Sequence, residues 1–193
     1  MTIVSEAGCQ AVHEEALRLM GLEGQIRLFD LPAPGTLPAE DWLRAFWREH
    51  PHTTHLISIE RAGPSHTLTS LLASYGQEPA PLLAFTTEVD AASWDKPHNM
   101  RGYDISPFTA PAHLLFESRP PGVVTIGIGD GGNEIGMGKL PWEVLRANIV
   151  LGGKIACRVP TQHLLVAGTS NWGAYALAAG LLQCRGRSLS SMG

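Results

Sequence analysis

VVTIGIGDGGNEIGMGK, Val123 to Lys139, divides into two parts. Val123–Gly129 is a short apolar run with β-branched residues, the signature of a buried strand. Gly127–Gly138 then holds six glycines in twelve residues, with Asp130, Asn133 and Glu134 among them. A buried strand running into such a turn is expected in a parallel α/β sheet, where ligand sites gather beyond the C-terminal ends of the strands.

The flanking sequence carries the same alternation. TIVS (2–5) reads as a strand, followed by a helix over about 6–20 whose apolar positions Val12, Ala16, Leu17 and Met20 recur at helical spacing. QIRLFD (25–30) alternates as a strand. LPAPGT is a breaker, and LPAEDWLRAFWREH (37–50) is a helix with Pro38 near its first turn and Trp42 and Phe46 on one face. THLISIE (54–60) is a buried strand ending at Glu60. Residues 63–97 form a long insertion, with a helix expected at HTLTSLLASYG and a strand at PLLAFTT. Next come a helix within SPFTAPAHLLFESRPPG, the strand just quoted, and a helix at LPWEVLRANIVLGG. Strands at KIACRV and HLLVAG follow, then a helix at SNWGAYALAAGLLQC that Ser170 or Asn171 would cap. The expected fold is α/β: three layers, a mostly parallel sheet with helices on both faces, Rossmann-like, over residues 1–184. Residues 185–193 form a polar tail.

Composition narrows the function. The chain has 193 residues and a net charge of -4. Every acid lies at or before Glu143, and Arg146, Lys154, Arg158, Arg185 and Arg187 are scattered beyond it, which reads as solvated cations rather than a nucleic-acid patch. There is no apolar run of membrane-spanning length and no secretory leader pattern. Cys9, Cys157 and Cys184 are widely spaced, which suits a reducing intracellular compartment.

The glycine-rich loop invites a nucleotide. Gly127, Gly129 and Gly132 satisfy GxGxxG after a strand. The ribose-binding acid expected about 20 residues on is missing, and so is a Gly-Lys-Ser/Thr. Asp130 and Glu134 would each repel a phosphate by about 4 kcal/mol at ~4 Å and an effective dielectric near 20. A tight turn that presents two carboxylates for acid–base work fits better, its amides forming an anion pocket.

Four segments carry a resemblance to the D-glutamate cyclase family, in its C-terminal domain: IGIGDGGNEIGMGK (126–139), LISIERAG (56–63), HNMRGYDIS (98–106) and VAGTSNWGAYALA (166–178). The resemblance implies a hydro-lyase that cyclises D-glutamate to 5-oxo-D-proline. It also implies a mitochondrial matrix location for a eukaryotic member and a cytoplasmic one for a bacterial member. The chain departs from the family pattern in three ways: it opens without the usual first βα unit, the 63–97 insertion is long, and His98 stands where Tyr is usual. The other readings are a non-catalytic domain that binds a small carboxylate, and a nucleotide-binding enzyme.

Cyclising glutamate needs proton transfer, an oxyanion pocket and a carboxylate anchor. Glu60, Asp104, Asp130 and Glu134 are the candidate acid–base residues. Arg61 and Arg101 suit carboxylate anchoring, unless they merely pair with Glu60 and Asp104. Asn99, Gly131, Gly132, Asn133, Ser170 and Asn171 complete the substrate-binding candidates. Trp172 reads as packing, Lys139 as a solvated cation, and His50, His52 and His55 as a solvated turn rather than a zinc site. No cofactor is required, but Asp130 and Glu134, with Asp104, are oxygen ligands suited to magnesium or manganese. The expected partner is a small amino acid, with a homo-oligomer as a further expectation and no nucleic acid or membrane.

Overall fold

The computed structural model describes residues 1–186, so Arg187 and the tail residues after it lie outside the described residues. Among the described residues there are five strands: β1 (Thr2–Glu6), β2 (Arg27–Leu31), β3 (His55–Ile59), β4 (Val124–Gly129) and β5 (His163–Val166). All their pairings are parallel, but they form two sheets, β1–β2 and β3–β4–β5. A cleft of about 960 Å³ is lined by residues of β1 on one side and β3 on the other.

Eight α-helices accompany the strands: α1 (Gln10–Leu19), α2 (Ala39–Glu49), α3 (Leu68–Tyr75), α4 (Pro79–Glu88), α5 (His113–Glu117), α6 (Trp142–Asn148), α7 (Gly152–Ile155) and α8 (Ser170–Cys184). In β3, Leu56 and Ser58 are buried while Ile57 and Ile59 are half-exposed. The buried face joins a core containing Trp42 and Phe46 of α2, Leu115 and Phe116 of α5, and Trp142 of α6. Full burial of such a side chain contributes about 2–3 kcal/mol. The opposite face carries α8, where Gly173 sits directly against Ile128 of β4. Helices therefore cover both faces of an α/β sheet.

Five local expectations change. PLLAFTT is helical, part of α4, because Pro79 starts a helix in its first turn and Phe85 buries against Trp94 and Trp142. KIACRV is not a strand. Leu151 turns left-handed (φ 59°), Gly152–Ile155 coil into α7, and Cys157 makes one antiparallel bridge to Ser65. The helix expected after Ser106 is broken into a 3-10 turn (Ser106–Phe108) and the short α5. Trp172 is 75% exposed rather than packed. Nor is Arg158 simply solvated: its guanidinium bridges Asp95 and Glu117, while Arg146 pairs with Glu88 at the surface.

Candidate active site

The parallel register sets the site. Ile59 pairs with Ile128, and Gly129 with Val166, so β3, β4 and β5 end at one rim. The first residues past β3 and β4 are Glu60 and Asp130. The Glu60 amide donates to Ile128 O (3.0 Å), and Glu60 has φ 55°, a left-handed conformation uncommon outside glycine. Past β4 the chain curls around a side chain of its own. The amides of Asp130 and Gly131 donate to Glu134 Oε1 (2.9 and 2.7 Å), holding a carboxylate that is 2% exposed inside the turn. Across the rim, the Ser170 amide donates to Asp130 Oδ2 (3.0 Å). Asp130 thus stands at the positive end of α8. Carboxylate oxygens of Glu60, Asp130 and Glu134 lie within 4.8 Å of one another. Glu134 Oε2 is buried and has no hydrogen-bond partner.

The expected capping of α8 by Ser170 or Asn171 is replaced by this contact. Thr169 occupies the N-cap without a side-chain bond, Ser170 begins the helix, and Asp130 takes the amide from another element. Ser170 Oγ is fully buried and unpaired, and Asn171 is exposed.

The glycines serve the loop's own packing. A Cβ on Gly127 would meet Gly136 Cα and Ile135 O, both at 2.7 Å, and one on Gly129 would meet Glu134 Cδ at 2.9 Å. The loop folds back onto its strand with no room for side chains. Two of the amides expected to hold an oxyanion, those of Asp130 and Gly131, are already taken by Glu134, which also leaves them unavailable to a nucleotide phosphate.

The 98–106 segment docks on this loop. Asn133 Nδ2 donates to His98 O (2.7 Å), and Met100 lies hard against Gly131. Asn99 Oδ1 accepts from the amides of Arg101 and Tyr103 (both 3.0 Å), so its side chain organises the turn that carries Arg101. Among the described residues the exposed Arg101 guanidinium has no ion-pair or hydrogen-bond partner. Asp104 lies outside the carboxylate cluster. The hydroxyl and amide of Ser106, with Lys96 at 3.1 Å, pull its carboxyl down to about 2.

Arg61 is committed elsewhere. Its guanidinium forms a two-pronged pair with Glu6 and donates to Ala110 O (3.0 Å), tying the end of β1 to the end of β3. Burial alone would raise the Glu6 carboxyl, but Arg61 beside it holds it below the usual range. A cavity of about 330 Å³ opens here, with Glu60, Arg61, Ile105 and Phe108 on its walls. The histidines of 50–55 separate: His50 packs edge-on against Phe29 and tilted against Phe46, and His55 bonds Thr54. Lys139 donates to Gln162 O.

Residues 74–192 match the family described as D-glutamate cyclase-like, C-terminal. The chain belongs to the D-glutamate cyclase-like C-terminal family. It is also 35% identical to human mitochondrial D-glutamate cyclase over 133 residues, 68% of this chain and 17% of that protein. The family match takes in the 98–106, 126–139 and 166–178 segments and begins after Glu60 and Arg61. Within this D-glutamate cyclase-like domain no described helix is long and apolar enough to cross a membrane.

Sequence reasoning missed Glu6 as the partner of Arg61, because 55 residues separate them. It also missed that Asp130 reaches the amide of Ser170, 40 residues away. Their position at the ends of parallel strands was the available signal.

Proposed function

We propose that this domain is a hydro-lyase that cyclises D-glutamate to 5-oxo-D-proline. The observation that carries the reading is the convergence of Glu60, Asp130 and Glu134 at the strand ends, next to a cavity of amino-acid size. In the reaction the α-nitrogen attacks the side-chain carboxyl carbon. One C–N bond forms and one C–O bond breaks. The ammonium loses two protons, and both leave in the water. Catalysis therefore means carrying protons from nitrogen to oxygen across a short gap, work suited to carboxylates. Glu60 is exposed and makes no side-chain hydrogen bond, and Asp130 keeps Oδ1 free while Oδ2 is held by Ser170, so these two are assigned the proton transfers. Glu134, clamped by two amides, sets the shape of the turn. Arg101 is assigned the α-carboxylate, since guanidinium matches it in a bidentate way and Arg61 is already engaged. In a eukaryotic cell the mitochondrion named for the human relative is the expected compartment.

The test is chiral chromatography of the product after incubation with D-glutamate, with L-glutamate as the control. The expected result is 5-oxo-D-proline from the D-enantiomer, with Asp130→Asn slower by roughly 100-fold or more. No product from the wild-type chain sinks the cyclase reading, and unchanged turnover in Asp130→Asn removes Asp130 from the proton path.

A further inference from the structure

We infer that Glu60, Asp130 and Glu134 form a binding site for one hard divalent cation, Mg²⁺ or Mn²⁺, at the C-terminal ends of β3 and β4. Three carboxylates offer oxygens within 4.8 Å of one another. Among the described residues none of the three is paired with a Lys, Arg or His. Arg61, the adjacent cation in sequence, turns away to Glu6. Three mutually close carboxylates with no ion-pair partner among the described residues make a negative cluster that one divalent cation would neutralise.

A second observation points to an ion rather than to a merely acidic surface. Glu134 is 2% exposed, and its Oε2 has no hydrogen-bond donor. A buried carboxylate oxygen without a partner is costly unless a ligand satisfies it. The anchoring has the form of a metal site. Backbone amides hold Oε1 of Glu134 and Oδ2 of Asp130, which fixes each carboxylate and leaves its other oxygen without a hydrogen bond among the described residues. Such outer hydrogen bonds orient ligating carboxylates. Oxygens sharing one Mg²⁺ at about 2.0–2.1 Å lie roughly 3–4 Å apart, and an all-oxygen donor set selects a hard cation. Glu60 is the exposed side of the site, open toward the 330 Å³ cavity that it lines. Three protein oxygens leave coordination positions for water or a substrate carboxylate.

Binding of the ion rests on the cluster alone; the chemistry assigned to it rests on the cyclase reading. There the cation would neutralise the side-chain carboxylate of the substrate and polarise its C–O bond toward attack by the amine; with Asp130 Oδ2 on the Ser170 amide and Oδ1 on the ion, the proton transfers would fall to the second oxygen of Glu60.

The test is Mn²⁺ titration of chelator-treated full chain, followed by loss of the free-ion electron paramagnetic resonance signal, with Mg²⁺ as competitor and no substrate present. The expected result is one Mn²⁺ per chain, displaced by Mg²⁺. Asp130→Asn, Glu134→Gln and Glu60→Gln should each weaken binding by at least about 10-fold. Glu88→Gln, an acid outside the cluster, should not. Glu60 makes no side-chain hydrogen bond, so its variant separates ligand loss from misfolding. Absence of binding at millimolar Mn²⁺, or full affinity in Glu60→Gln, overturns the assignment. Because the readout needs no turnover, a failed cyclase assay and a failed metal site are distinguishable.

Discussion

Replacing Glu134 in two ways separates its structural work from its charge. In Glu134→Ala the amides of Asp130 and Gly131 lose their acceptor at a position that is 2% exposed. Each buried unsatisfied donor costs about 1–3 kcal/mol, so the pair costs about 2–6 kcal/mol, with a cavity term added. Glu134→Gln keeps a carbonyl oxygen where Oε1 stands. It gives up the charge-assisted part of two hydrogen bonds, about 1–2 kcal/mol together. Against that, it removes repulsion from Asp130, which at 4.8 Å and an effective dielectric near 20 is about 3 kcal/mol before solvent screening at the half-buried Asp130. Without divalent cations, Glu134→Gln should unfold in urea within about 2 kcal/mol of wild type, and Glu134→Ala at least about 2 kcal/mol below Glu134→Gln. Adding Mn²⁺ should raise the urea midpoint of wild type and leave that of Glu134→Gln nearly fixed. Equal stability of the two variants would refute the clamp, because the acceptor would then carry no weight.

Two further predictions concern the scaffold. Gly127→Ala places a methyl against backbone atoms at 2.7 Å and should cost about 1–3 kcal/mol in denaturant unfolding, whereas Gly168→Ala, with nothing within 4 Å, should be near neutral. A Gly127→Ala variant of wild-type stability would mean that the loop does not lie on β4 as described. Burial lowers the His66 imidazole to about 4 from 6.5, so its neutral form is the folded one. Its contribution is fully present above pH 6.5 and is lost as the pH falls toward 4, a difference of about 3 kcal/mol. His66→Gln should flatten the urea midpoint between pH 6.5 and 4, with the residual slope left to His98 and His113, which burial also lowers, and near pH 4 to the lowered carboxyls of Glu6, Glu88 and Asp104; an unchanged slope would contradict the assignment to His66.

The sheet was legible because its strands are short apolar or alternating runs set between turn residues. All five strands with regular pairing were read in place, TIVS, QIRLFD, THLISIE, VVTIGIG and HLLVAG. PLLAFTT was misread because a short apolar run does not separate strand from buried helix by period alone, and the deciding signal, Pro79, lies two residues before it. KIACRV was misread because its fate depends on the left-handed turn at Leu151, which a β-strand propensity scale does not register. The separation of β1–β2 from β3–β4–β5 had no sequence signal, since each strand's own pattern is the same whichever neighbour it takes.

The site was legible to the extent that it follows from register. If β3 and β4 are adjacent and parallel with Ile59 opposite Ile128, Glu60 and Asp130 must emerge together, and only the pairing had to be known. Glu134 enters by a different route: four residues past Asp130, it returns to bind that residue's own amide, a local clamp that the glycine at 129 makes sterically possible. Arg61 shows where residue chemistry misleads. A guanidinium beside Glu60 suggests a substrate anchor, yet the carboxylate that it pairs with in the fold belongs to Glu6, brought across by β1. That diversion bears on function, because an arginine paired to Glu60 would offset one of the three carboxylates of the cluster. With Arg61 held by Glu6, the three carboxylates keep their negative charge for whatever binds at the rim, and the free cation nearest in role is Arg101, on the loop docked against Gly131. Exchanging the acid of that pair alone, Glu6→Gln, weakens the tie that holds Arg61 away; the fold therefore links the end of β1, outside the cluster, to the charge state at the centre of the site.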